Sequence, residues 1–259
     1  MNIALLFLMF AGTTPEAIDS ASREARAELA QRNYAKALAH ADTVYAQVQA
    51  ELKRRPLDKE PHLPLALGAA IEVHAQALSA QGQRSEAVTY LQAELKTYYR
   101  TSIRARIQKN ILLLSLEGKP APLLETNRVL GPRPSPTKGH PVLLFFWAHW
   151  CGDCKGDAPA LVQLHAKFPA LTILGPTQHY GYVEGGIDAA PAKETAYIEK
   201  IRQQFYPALS SPLSEENFRA WGASTTPTIV LIDKRNVVRL YHPGAMPYGE
   251  LAPLIQRLL

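Results

Sequence analysis

The sequence predicts an all-α region followed by an α/β domain, and three observations carry that reading. Between Pro15 and about Glu117 the apolar residues recur every three or four positions, the spacing of amphipathic helices. After that the pattern changes: Val142 to Trp147 is an unbroken apolar run of strand length, and Ile229 to Ile232 is a second. A segment of helical spacing follows the first of these strands, and another closes the chain. At 259 residues the chain is long enough for two cores.

Residues 1–11, MNIALLFLMFA, are apolar over the length of a signal-peptide core and too short to cross a bilayer. Residues 1–14 are therefore read as a signal segment, and the protein as exported. A retained, buried N-terminal helix is the alternative, because no Lys or Arg precedes the apolar run and no clean small-x-small cleavage site follows it.

The helical region, 15–116, carries successive stripes: Ala37, Ala41, Val44, Val48 and Leu52; Ala66, Ala69, Val73 and Leu78; Val88, Leu91 and Leu95; Ile103, Ile107 and Ile111. Arg55-Pro56 and Pro61 to Pro64 interrupt the array, as does Gln81-Gly82-Gln83. Gln81 to Ala87 resembles the turn between the two helices of a tetratricopeptide repeat (TPR), and Arg32 to Ala37 is a weaker echo. The echoes are spaced more widely than the ~34-residue period of such repeats, so the array is TPR-like and irregular. It implies either a groove for a partner protein or a packed helical domain without a ligand.

Residues 126–140 hold three prolines and two glycines and read as a strand end and loop. The apolar strand 142–147 then delivers Trp150-Cys151-Gly152-Asp153-Cys154, with helical spacing resuming from Lys155 to Phe168. Cys151 and Cys154 are the only cysteines. A strand-to-helix junction presents unpaired backbone N–H groups and the positive end of a helix dipole, which stabilise a thiolate. Cys151 is therefore the expected nucleophile. Cys154, one turn on, can attack a mixed disulfide on Cys151 and is the expected resolving thiol. Gly152 and Asp153 tune the redox poise; a carboxylate beside the thiolate opposes its ionisation and favours a reductant. An inert disulfide or a pair of buried thiols is the alternative.

Leu171 to Leu174 reads as a short strand, Pro176 to Pro191 as a glycine-bearing loop without periodicity, and Glu194 to Phe205 as a helix. The loop either shapes substrate access or merely connects. Ser214 to Trp221 is a further short helix, Ile229 to Asp233 a strand, Asn236 to Tyr241 its hairpin partner, and Glu250 to Leu259 a closing helix.

Phe146-Trp147-Ala148 with Trp150 to Lys155 resembles the active-site signature of the thioredoxin superfamily, and Thr226-Pro227-Thr228 resembles that superfamily's cis-proline loop. The resemblance covers about 117–259 and implies a thioredoxin-like fold, a mixed sheet flanked by helices. Gly118 to Leu123 and Asp157-Ala158-Pro159 are similar to the TlpA/ResA-like thiol–disulfide oxidoreductases, which carry an inserted helix where Glu194 to Phe205 falls. That subfamily usually has Glu where this chain has Asp157, while typical thioredoxins bury an aspartate at the place held here by Phe145. The resemblance implies Asp157 as the proton-handling carboxylate, and Trp150, Thr226 and Pro227 as residues that position an extended substrate.

The expected activity is thiol–disulfide exchange on protein disulfides outside the cytoplasm, with electrons from a membrane-bound or soluble donor and a possible partner protein on the helical domain. A second reading is an interaction protein in which the TPR-like array binds a partner and the α/β domain is a docking surface. A peroxidase is disfavoured, because Ala148-His149-Trp150-Cys151 lacks the Thr-x-x-Cys of peroxide-reducing relatives. The net charge of +5 is spread along the chain without basic runs, so nucleic acid is not an expected partner. No cofactor is expected. No second ligand pair suggests zinc, and His149, beside the cysteine motif, is expected to face solvent.

Overall fold

The computed structural model describes residues 14–259; the apolar segment read as an export signal lies outside them. The chain divides into two compact units, one ending at Ile107 and the other running from Gln108 to Leu259.

The first unit is helical: α1 (Pro15–Ala30), α2 (Tyr34–Leu52), α3 (His62–Ala80), α4 (Arg84–Thr97) and the start of α5 (Arg104–Ser115). Thr14 caps α1 through its side chain, and Pro15 sits at the first position, where a missing N–H costs nothing. Arg32 (φ 64°) and Gly82 (φ 85°) occupy the left-handed region in the turns after α1 and α3, which lets each helix reverse into the next. Ala25, Ala37, Ala41, Val73 and Ala77 pack together as one core of small side chains. Small residues permit close helix approach, and α3 buries ten residues as the central element.

In the second unit a four-stranded sheet has the order β3-β2-β7-β8, with β2 (Val142–Phe146), β3 (Thr172–Leu174), β7 (Thr228–Ile232) and β8 (Val238–Pro243). β2 runs parallel to β3 and antiparallel to β7, and β7 is antiparallel to β8, so the sheet is mixed. Both central strands are buried at every position, which explains their continuous apolar sequences. Alternate residues feed two cores. Leu143, Phe145, Ile229 and Leu231 face a cluster with Leu161, Ile198 and Ile255. Val142, Leu144, Phe146, Val230 and Ile232 face a second with Leu112, Leu116, Phe218 and Trp221. Residues 118–121 add to the outer edge of β8 through Gly118 N–H to Val238 O (2.8 Å) and Ala121 N–H to Asn236 O (2.9 Å).

The remaining elements are β1 (Val129–Leu130) paired with β6 (Ser211–Pro212), helices α6 (Gly152–Gly156), α7 (Ala158–Lys167), α8 (Pro191–Phe205), α9 (Glu215–Ala220) and α10 (Tyr248–Gln256), and a hairpin of β4 (Tyr182–Val183) with β5 (Ile187–Asp188). Two of these differ from the sequence reading. The segment after the cysteines is two helices meeting at Asp157, because Pro159 has no N–H to continue the ladder. The stretch read as an aperiodic loop contains the β4–β5 hairpin, whose turn uses Gly185 (φ 72°) and Gly186 (φ 74°).

Candidate active site

The site forms where β2 ends. Trp147 is completely buried, donates its backbone N–H to Pro176 O (3.1 Å) and its indole N–H to Gly175 O (2.9 Å), and accepts the Thr177 hydroxyl at its carbonyl (2.9 Å). These bonds fix the chain that leads into the cysteines. Gly175 is required by close approach: a Cβ there would lie 2.3 Å from a Leu209 methyl and 3.1 Å from the Trp147 indole nitrogen.

Cys151 and Cys154 are joined by a disulfide. Cys151 is the N-cap of α6, and its Sγ accepts the Cys154 backbone N–H at 3.0 Å. Its sulfur also lies 3.4 Å from the Thr226 carbonyl oxygen. An oxidised sulfur has no proton to share, so this contact becomes a hydrogen bond only when Cys151 is a thiol. Cys154 is fully buried and Cys151 is 3% exposed, so an incoming sulfur meets Cys151 first. Gly152 and Asp153 are exposed, and a side chain at 152 would meet nothing within 4 Å.

The Thr226–Pro227 peptide bond is cis, Pro227 is buried, and Gly244 N–H donates to Pro227 O at 2.8 Å. The Thr226 hydroxyl is buried with no hydrogen-bond partner among the described residues. Trp150 is half exposed, with its ring edge-on to Tyr180 at 5.5 Å. Asp157 stands at the α6–α7 junction, and its Oδ2 has no hydrogen-bond partner among the described residues. Burial raises its pKa above the usual carboxylate value, with Asp153 adding repulsion and the Met246 backbone N–H opposing both. The structure thus brings Cys151, Cys154 and Thr226 into direct contact, sets Trp150 beside them in the chain, and leaves Asp157 with an unused oxygen.

His149 departs from the sequence expectation. It is buried at 1% exposure, as is Glu194 of α8, and the two meet at 3.2 Å between Nε2 and Oε1. The same carboxylate accepts the backbone N–H groups of Tyr180 and Gly181 (2.9 Å for Gly181). Tyr180, Tyr182 and Tyr197 present their rings edge-on to the imidazole at 5.6, 5.4 and 5.3 Å. Burial holds His149 below the ordinary histidine range, so the neutral ring donates Nε2–H to the carboxylate. The pair ties the segment 176–205 to the residues just before Cys151. A tyrosine-rich insertion was the available signal in the sequence; the His–Glu pairing itself has no local signature. Among the described residues, no group of three or more His, Cys, Asp or Glu side chains converges to hold a metal.

Residues 134–259 match the thioredoxin-like domain family. The chain is similar to the thiol:disulfide interchange protein DsbE of Xylella fastidiosa, with 28% identity over 136 residues, 51% of this chain and 64% of that protein. It is similar to the thioredoxin-like protein YneN of Bacillus subtilis, with 24% identity over 139 residues, 52% of this chain and 76% of that one. A shorter stretch of 38 residues is 45% identical to the soluble secreted antigen MPT53 of Mycobacterium tuberculosis, 15% of this chain and 22% of that protein. With its mixed sheet, flanking helices and Cys-x-x-Cys turn, the C-terminal part of the chain has a thioredoxin-like α/β fold.

Proposed function

We propose that the protein is a thiol–disulfide oxidoreductase of the TlpA/ResA-like kind, acting as a reductant of protein disulfides outside the cytoplasm. The observation that carries this reading is the Cys151 sulfur at the first turn of α6, holding the Cys154 N–H at 3.0 Å and facing the Thr226 carbonyl at 3.4 Å. A donor already aimed at the sulfur favours its ionised form, as a nucleophilic thiol requires.

In the reduced protein the Cys151 thiolate attacks one sulfur of a substrate disulfide. A Cys151–substrate bond forms, the substrate S–S bond breaks, and the first substrate thiolate leaves and takes up a proton. Cys154 then gives its proton to Asp157 and attacks the Cys151 sulfur. The Cys151–Cys154 disulfide forms, and the second substrate thiolate leaves with a proton. Two electrons and two protons reach the substrate, one proton from Cys154 by way of Asp157 and one from solvent, and a dithiol donor, membrane-bound or soluble, must return the electrons. The raised pKa of Asp157 suits it to accept a proton nearer neutral pH than an ordinary carboxylate does. Similarity to a thiol:disulfide interchange protein and to a secreted antigen supports both the chemistry and an extracytoplasmic setting. For the helical unit we propose a TPR-like partner-binding role, supported by its succession of helices α1 to α4.

The test is the equilibrium reduction potential of the Cys151–Cys154 pair, titrated against dithiothreitol or glutathione with Cys154→Ala as the control. A value near about −270 mV supports a reductant and one near about −120 mV an oxidant. Exchange no faster than that of a buried structural disulfide would leave the interaction-module reading in its place.

A further inference from the structure

We infer that the segment 176–205 reads the residue beside the substrate's cysteine. In this inference the tyrosine rings held by the buried His149–Glu194 pair select polypeptide disulfides flanked by apolar or aromatic side chains. The inference rests on the oxidoreductase reading and names the substrate class of that same site.

Three observations point to it. First, a partner sulfur can reach only Cys151, because Cys154 is fully buried, so whatever flanks that sulfur lies against the neighbours of Cys151. Second, those neighbours are aromatic. The ring of Trp150, 48% exposed, stands edge-on to Tyr180 at 5.5 Å, and Tyr180 lies 6.4 Å from Tyr182, with both tyrosines only partly buried. The β4–β5 hairpin that carries Tyr182 also exposes Ile187, at 61%. Rings that stay partly open beside a reacting centre offer large contact area at little entropic cost.

Third, the rings are held rigidly. Glu194 accepts the backbone N–H groups of Tyr180 and Gly181 together with His149 Nε2. Tyr180, Tyr182 and Tyr197 pack edge-on around that imidazole. A buried carboxylate with this many donors over-determines the path of residues 180–182. The platform is therefore fixed before substrate arrives, and little ordering is left to be done on binding. Within this arrangement Glu194 and His149 are positioning residues, whereas Tyr180 and Tyr182 meet the substrate.

The experiment compares the reduced protein on three probes: a disulfide-linked peptide dimer with Phe on both sides of the cysteine, the same dimer with Ser in those places, and bis(2-hydroxyethyl) disulfide. The expected wild-type ratio of kcat/KM, Phe peptide over Ser peptide, is about tenfold, carried mainly by KM. Tyr182→Ala brings the ratio close to one, and Tyr182→Phe keeps it, since ring contact and not the hydroxyl is what the substrate uses. Glu194→Gln keeps the side-chain shape, weakens the acceptor for two N–H groups, and lowers the ratio about threefold. A wild-type ratio of one with the hydroxyethyl disulfide still reduced would overturn the inference and leave the redox reading standing. So would a Tyr182→Ala ratio equal to that of the wild type. Failure to reduce any of the three probes would overturn both.

Discussion

Glu194 and Asp157 are acidic side chains withdrawn from water in the same domain, and their surroundings differ in kind. Glu194 is 1% exposed, yet both of its oxygens accept hydrogen bonds, from two backbone N–H groups and His149. Asp157 is less deeply placed, but its Oδ2 has no hydrogen-bond partner among the described residues, and burial raises its pKa. A carboxylate whose two oxygens are both engaged by fixed donors holds structure together. One that is desolvated and incompletely bonded has its pKa raised above the ordinary carboxylate value, the direction that favours a proton acceptor. The difference between the two regions lies in the donors around the acid and not in depth of burial.

The comparison breaks most visibly at Glu194. Glu194→Ala strands the buried His149 ring nitrogen and removes the acceptor of the part-buried Tyr180 and Gly181 N–H groups, and should cost about 3 kcal/mol of stability, read by denaturant unfolding. A loss below about 1 kcal/mol would mean that water or a neighbouring side chain replaces the carboxylate without difficulty.

Asp157→Asn should have the opposite signature. It removes a desolvated acid, so stability at neutral pH should rise. The conversion of the Cys151–substrate mixed disulfide to the internal disulfide should slow by about 10- to 100-fold. Quenched-flow trapping of the mixed disulfide would show its accumulation, and an unchanged rate would remove Asp157 from the proton path.

The distance over which each feature is written in the chain governs how legible it is in the sequence. Val142 to Phe146, the Cys-x-x-Cys turn and the Thr226-Pro227-Thr228 loop are contiguous patterns, and each could be assigned from its own residues or from family likeness. The division of the helix at Asp157 was equally present in the sequence, at Pro159. His149 and Glu194 are 45 residues apart, and each alone looks ordinary: one polar residue before a cysteine motif, one acid in the first turn of a helix. Their partnership exists only because Trp147 and Thr177 dock the intervening segment against the end of β2. The β4–β5 hairpin is too short to impose a period on the sequence, and its glycines signal a turn without saying which strands they join.

The same contrast predicts a pH dependence, with opposite signs for the two regions. Asp157 has a folded-state pKa above its ordinary 3.8, so its contribution to stability is present at low pH and is lost as pH rises through the folded value. His149 has a folded-state pKa below its ordinary 6.5, so its contribution is present above 6.5 and is lost as pH falls through the folded value. The gain in stability from Asp157→Asn should therefore be small at pH about 4 and grow toward neutrality. A gain independent of pH would show that packing and not charge separates the variant from the parent.

The smallest effect should come from Tyr206→Phe. Tyr206 is 3% exposed, its hydroxyl has no hydrogen-bond partner among the described residues, and its ring packs against Phe145 and Trp147 with centroid distances of 5.9 and 5.1 Å. Burial is the main cause that raises its pKa, and the charge of Asp157 adds to it, which places the phenol within electrostatic reach of that carboxylate. Removing the oxygen leaves the ring contacts intact and deletes an unsatisfied polar group, so stability should stay level or rise by up to about 1 kcal/mol. The value of the substitution lies in its effect on the pH profile of Asp157. If the hydroxyl makes no bond to the acid, the pH at which mixed-disulfide resolution reaches half its maximal rate should be the same in the parent and in Tyr206→Phe. A shift of that midpoint to higher pH in the variant would show that the phenol donates to the ionised carboxylate during the reaction. Asp157 would then resemble Glu194 more closely than the resting structure does, and the contrast between the two acids would hold for the oxidised state alone.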